Sequence, residues 1–162
     1  MIKPLFLIIM LSMVMGDNTV DAQENNTVSA SALAALQAYR EAEQKYYNNR
    51  DLDGLMDVFA EDIIVRSVGQ PTQKGRAALR KFFVQFWRDF EVTEIVEVVE
   101  DDIQELNGVL IVWAHYTVKM AIKADDPPKY EEGRILCVFK QGKDGKYRLW
   151  REAGLDKAPQ VK

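Results

Sequence analysis

Two hydrophobic rhythms divide the chain. Between Ala32 and Tyr47, the residues Ala32, Ala35, Leu36, Tyr39, Ala42, Tyr46 and Tyr47 recur at three- and four-residue spacing, one continuous arc of an α-helix. Ser29 or Ser31 supplies an N-cap, so the spacing predicts a first helix ending near Asn48. Leu52, Leu55, Met56 and Phe59 predict a second helix over about Asp53 to Ala60, followed by a strand from Ile63 to Val68. Gly69 to Gly75, containing Pro71, reads as a loop. A third helix starts near Arg76, with Leu79, Phe82, Phe83, Phe86 and Phe90 on one face. From Val92 the period falls to two. Val92 to Leu106 predicts a long strand bulged at Glu100-Asp101-Asp102, and Asn107-Gly108 predicts a hairpin turn. Val109 to Ile122 is the return strand, Asp125-Asp126-Pro127-Pro128 a loop and Tyr130 to Lys140 the next strand. Asp144-Gly145 turns the chain into a last strand from Lys146 to about Ala153. Helices first and antiparallel strands afterwards make an α+β domain, a curved sheet with its helices on one face.

Alternation then assigns faces. Leu110, Val112, Ala114, Tyr116, Val118, Met120 and Ile122 look toward the helices; Trp113, His115, Thr117 and Lys119 look away. Ile135, Cys137 and Phe139 form the inward set of the following strand. In the last strand, Tyr147, Leu149, Arg151 and Ala153 alternate with Lys146, Arg148, Trp150, Glu152 and Gly154, and periodicity does not choose between them. The aromatic stripe of the third helix reads mainly as core. His115, the only histidine, falls on the outer face and has no ligand cluster around it, so no metal site is expected. Trp113 beside it fits a contact between two copies through the outer sheet face.

One position interrupts the first helix's arc. Glu43 lies near its centre, where an ionised carboxylate must find a partner or raise its pKa. An ion pair with an arginine such as Arg151, or a helix end riding out of the core, would satisfy it. A pocket acid or base would use it.

Length and composition narrow the class. The 162 residues make one domain with short appendages, and the formal charge of −4 with no basic stripe argues against nucleic acid as a partner. Residues 1–22 read as a signal peptide: Lys3, an apolar run from Leu5 to Met15, and Val20-Asp21-Ala22 before Gln23. An uncleaved anchor is the alternative; cleavage would leave an exported, secreted or periplasmic product with no hold on a membrane. Residues 23–28 are a flexible leader, 29–156 the folded domain and 157–162 a loose tail. Asn25-Asn26-Thr27 is a formal glycosylation sequon. The single cysteine, Cys137, excludes an intramolecular disulfide and reads as a small apolar group.

Asp51-Leu52-Asp53-Gly54-Leu55 with Val58-Phe59-Ala60-Glu61-Asp62 resembles the second-helix signature of SnoaL-like and ketosteroid-isomerase-like proteins, within the nuclear transport factor 2-like superfamily. Gly75 to Phe83 resembles their third-helix opening, and Tyr147-Arg148-Leu149-Trp150-Arg151-Glu152 their last strand. The resemblance spans about Ala32 to Leu155 and implies a cone-shaped α+β barrel, three N-terminal helices packed on a strongly curved antiparallel sheet. It is specific for fold and poor for activity, because the same cone hosts isomerases, cyclases, dehydratases, hydrolases and non-enzymatic modules.

Carried over position by position, the family's oxyanion tyrosine falls on Glu43, its aspartate base on Ser67 and its protonated aspartic acid on Cys137. All three differ, which argues against steroid isomerisation by that mechanism and leaves Ser67 as a pocket-wall hydroxyl. The resemblance also turns Trp150 and Glu152 into the pocket. It therefore implies a cavity lined by Tyr47, Phe59, Val65, Ser67, Phe83, Trp87, Tyr116, Cys137 and Trp150, with Glu43 and Glu152 as a carboxyl pair. Two readings follow. One is a cofactor-free acid–base enzyme of isomerase, lyase, cyclase or hydrolase type, acting on a small apolar or aromatic molecule through Glu43 and Glu152. The other is a non-catalytic ligand-binding or dimeric interaction module of the same fold.

Overall fold

A computed structural model describes residues 28–157 of the chain. The signal peptide expected over 1–22, the leader to residue 27 with its sequon, and the tail from residue 158 lie outside the described residues. The order is α1 (Ala30–Asn48), α2 (Leu52–Asp57), β1 (Phe59–Arg66), β2 (Gln73–Lys74), α3 (Arg76–Asp89), β3 (Val92–Leu106), β4 (Val109–Ala121), β5 (Lys129–Gln141) and β6 (Tyr147–Lys157). The strands form one open, curved sheet ordered β2-β1-β6-β5-β4-β3, antiparallel except where β1 runs parallel to β6. The α+β cone is therefore the fold, with the helices on the concave side.

Local chemistry sets the ends of the helices. Ser29 caps α1, its hydroxyl accepting from the Ala32 N–H at 3.2 Å, and Asp51 caps α2 by accepting from the Gly54 N–H at 3.0 Å. Arg50, at φ 54°, swings its guanidinium across to the carbonyls of Trp87, Phe90 and Glu91, closing the C-terminal end of α3. The second helix is shorter than expected. Phe59 and Ala60 open β1 instead of closing α2, because there they are buried and Phe59 pairs with Leu149 of β6. The expected loop before α3 also holds a short edge strand, Gln73 and Lys74, paired with Val65 and Ile64.

The long hairpin forms as predicted, with Asn107 and Gly108 both at positive φ in its turn. β3 skips one partner at Val96 and one at Asp101, the second within the expected bulge. Gln44 and Asn48 of α1 hold the backbone of Ile95 beside the first skip: both donate to its carbonyl, and its N–H donates to Asn48. The inward set of β4 ends one residue early. Ala121 closes the strand, while Ile122 is 63 % exposed, its carbonyl taken by the Glu91 N–H.

The narrow end of the cone is solid. Ala32, Leu36 and Tyr39 of α1 pack with Leu110, Val112, Cys137, Phe139 and Leu149, and the Tyr39 ring meets Phe139 edge-on at 4.7 Å.

The bulge in β6 has the largest consequence. Leu149 pairs with Phe139 and Arg151 with Val138, so two residues, Trp150 and Arg151, stand opposite one. Both turn outward, and inward placement resumes at Glu152, opposite the inward Cys137. Neither alternating set of the last strand is therefore the inward one: Leu149 and Glu152 both face in, although an unbroken strand would oppose them.

Candidate functional site

The wide end of the cone is hollow. Beyond Ala114, the inward residues Tyr116, Val118 and Met120 of β4 border a cavity of about 570 Å³. The apolar residues of α3 divide between this cavity and the core. Phe82, Phe86 and Phe90, four apart, line the cavity, whereas Leu79, Phe83 and Trp87 occupy the adjacent row and pack into the core. Ile95 and Val98 of β3 complete the apolar wall, and Gln70, Gln85, Asp89 and Glu131 make other parts of the lining polar.

One cation is shared by two carboxylates at the wall formed by α1. Arg40 donates from Nη1 to Glu43 Oε2 and from Nε to Glu100 Oε1, both at 3.0 Å, while Glu43 Oε1 accepts from the Tyr39 hydroxyl at 2.7 Å. All three ionic side chains are largely withdrawn from water, with the Arg40 and Glu43 side chains 15 % and 14 % exposed. The guanidinium also lies over the Tyr39 and Phe139 rings, at 5.4 and 5.7 Å from their centroids. Burial and the neighbouring Glu43 push the Tyr39 phenol well above its ordinary range, so it stays a donor.

Glu152 stands apart from this network. Its carboxyl lines the cavity and has no hydrogen bond or ion pair among the described residues. Burial, and then the charge of Glu43, raise its pKa from 4.5 to about 7, against a smaller lowering by Arg40. Tyr116 lies nearby; burial, with Glu152 and Glu131, raises its phenol as well. This ring lies across Gly133, where a Cβ would come within 2.6 Å of the Tyr116 oxygen, so the missing side chain is what leaves it room. Burial pushes the Tyr47 phenol up to about 12. Both phenols thus keep their protons at neutral pH.

No curated protein matches this chain. The SnoaL-like domain model matches residues 37–150, well over half of the chain. The chain belongs to the SnoaL-like domain family. Solved structures agree on the fold. A conserved protein from Planctomyces limnophilus superposes with TM-score 0.70 at 14 % identity, covering 77 % of this chain and 95 % of that one. A ketosteroid isomerase-like protein from Erwinia carotovora atroseptica gives 0.66 at 15 % identity, with 80 % and 98 % covered. A candidate dehydratase of the nuclear transport factor 2-like family from Streptomyces avermitilis gives 0.66 at 13 % identity, with 75 % and 94 % covered.

Within this SnoaL-like domain, the cavity brings together five of the expected residues: Glu43, Tyr47, Ser67, Tyr116 and Glu152. Ser67 is exposed, at the end of β1. The other six do not line it. Phe59, Phe83 and Trp87 form an aromatic layer with Tyr47 in which Phe83 is only partly buried, and Val65 packs against the core. Cys137 is fully buried, and burial and the adjacent Glu152 hold its thiol well above the ordinary range. Trp150 corrects the resemblance most clearly. The β6 bulge turns it outward, where its Nε1–H donates to Asp62 at 2.8 Å and its ring meets the cations of Lys140 and Arg151. Arg151 accordingly does not pair with Glu43; Arg40 does. That partner had a sequence signal, an arginine three residues before the glutamate on the same helix. Among the described residues, no group of three histidine, cysteine or carboxylate side chains is placed to hold a metal ion.

Glu152 binds its proton more tightly folded than unfolded. Its contribution to stability is therefore fully present below about pH 4.5 and is lost as pH rises through about 7. Glu152→Gln should raise stability at pH 8 by up to ~3 kcal/mol and leave it nearly unchanged at pH 4. Urea denaturation at the two pH values checks this; equal shifts at both would show that Glu152 ionises normally.

Proposed function

We propose that this domain binds a small apolar or aromatic organic molecule in the hollow end of its cone and transfers a proton to or from it through Glu152. The observation that carries the reading is a carboxyl, without a partner among the described residues, that faces a cavity with its pKa raised to about 7, near the operating pH an efficient general acid–base requires. Glu43 has a different part from the one its sequence position suggests. Fixed by Arg40 and Tyr39, it adds to the raised pKa of Glu152 electrostatically, and its two oxygens are already engaged rather than offered to a ligand. Tyr116 and Tyr47, kept protonated, can donate to a ligand oxygen. The reaction class is isomerase, lyase, cyclase or hydrolase, on an exported protein if residues 1–22 act as the signal peptide their pattern describes.

A binding module without catalysis is the second reading, favoured by the absence of a carboxylate at Ser67 and Cys137 and by the fixed state of Glu43. On either reading we place the contact between two copies on the outer sheet face. Trp113 is 40 % exposed there and pairs across the sheet with Leu136, with Ile111 and Val138 partly open beside them. His115 joins the same face, its Nδ1 2.9 Å from Asp101.

Proton transfer can be followed before any natural substrate is found. In D₂O, the domain should accelerate α-hydrogen exchange of an aromatic ketone such as 2-tetralone, followed by NMR, with an apparent pKa near 7. Glu152→Gln should lose on the order of 10²-fold or more, whereas Ser67→Ala should stay within about threefold. Ketone binding without exchange, unaltered by Glu152→Gln, would favour the module. For the outer face, Trp113→Glu should sediment as a monomer where the wild type is a dimer; an unchanged dimer rejects that interface.

A further inference from the structure

We infer that the cavity selects a cationic ligand, an apolar or aromatic amine held with its ammonium group at Glu152 and its hydrocarbon against the α3 aromatics. The inference rests on the reading of this cavity as the ligand site and deepens it by naming the class of molecule.

The charge balance of the inner wall decides the sign. Arg40 is the only cation among the residues lining the cavity, and its guanidinium is already divided between Glu43 and Glu100. Two carboxylates on one guanidinium leave that network with an excess negative charge before Glu152 ionises at all. Glu152 then faces it from β6 with no hydrogen-bond or ion-pair partner among the described residues. Asp89 also lines the cavity, but Gln85 and Arg88 already hold its carboxylate, so the excess charge rests on Glu43, Glu100 and Glu152. An anionic ligand would bring another negative charge to a wall that already carries an excess, whereas an ammonium group would neutralise it.

The apolar wall suits the same ligand. Phe82 and Phe86 stack at 5.6 Å and Phe86 meets Phe90 at 5.0 Å, a continuous aromatic row along α3. Such rings accept either an apolar body or the face of a cation. The groups facing Glu152 are Arg40 and Glu43 from α1, Tyr116 from β4 and Cys137 from β5, with Glu131 beyond Tyr116. Of these, only Arg40 opposes a bound cation, and its charge is compensated.

Three probes of nearly equal shape separate the charge from the shape: 2-phenylethylammonium, 2-phenylethanol and 3-phenylpropanoate, titrated calorimetrically into the full chain at pH 7 in moderate salt. The ammonium should bind about tenfold or more tighter than the alcohol, with the carboxylate weakest. It should also release protons, seen as a dependence of the heat on the buffer's ionisation enthalpy, because it drives Glu152 to ionise. Glu152→Gln should bring ammonium and alcohol within about threefold, and Glu152→Asp, which keeps the charge, should preserve the preference. Alcohol binding as tight as ammonium, or carboxylate tighter, overturns the inference and leaves the pocket reading intact. No binding of any of the three overturns both.

Discussion

Arg40 can hold two carboxylates inside this fold only because α1 and β3 meet over it. Its guanidinium bridges Glu43 on its own helix and Glu100 sixty residues later on the bulged strand, each at 3.0 Å. Removing one partner from a buried ionic group leaves the other uncompensated, at a cost of roughly 3–5 kcal/mol. That constraint fixes the roll of α1 about its axis. It places Tyr39 on Phe139 and lets its hydroxyl reach Glu43, and it leaves a fixed negative charge facing Glu152 across the cavity. The packing of the narrow end and the electrostatics of the wide end thus depend on the same three side chains.

The site also needs two irregularities in the sheet. The first is the extra residue in β6, which sends Trp150 and Arg151 to the outside together and returns Glu152 to the interior. Outside, Asp62 gathers the displaced side chains: Lys140 and the Trp150 indole lower its pKa to about 2, and Arg151 lies within 3.9 Å. The second is the skip at Val96 in β3, beside which Gln44 and Asn48 of α1 bond the backbone of Ile95 and tie the helix to the strand. Each bulge bends the strand that carries it.

Much of this was legible in the residue pattern. The α1 arc, the turn at Asn107-Gly108 and the inward set of β4 as far as Met120 follow from periods of 3.6 and two with strong local turn chemistry. So does Glu43, because a carboxylate inside an apolar arc is an anomaly that alternation exposes. Non-local interactions hid the rest. Phe59 fits the short amphipathic run of α2, yet pairing with β6 assigns it to a strand. The aromatic stripe of α3 spans two rows, and sequence spacing does not say that Phe82 and Phe86 border space while Phe83 and Trp87 border protein. A bulge reverses alternation without leaving a mark in the composition, so the fate of Trp150, Arg151 and Glu152 depended on the Phe139 and Val138 register. Arg40 was visible as a neighbour of Glu43, but Glu100 completes the network from a distant strand.

The two glutamates are consequently not an interchangeable pair. Glu43 is held by a guanidinium and a phenol; Glu152 has no hydrogen bond or ion pair among the described residues and feels the charge of Glu43. Site-specific ¹³C NMR titration of Glu152 in the wild type and in Glu43→Gln tests that division most directly. A wild-type pKa near 7 that falls when Glu43 loses its charge, yet stays above the ordinary carboxyl range because burial remains, is the expected result. A wild-type value near ~4.3, indifferent to the substitution, would contradict it.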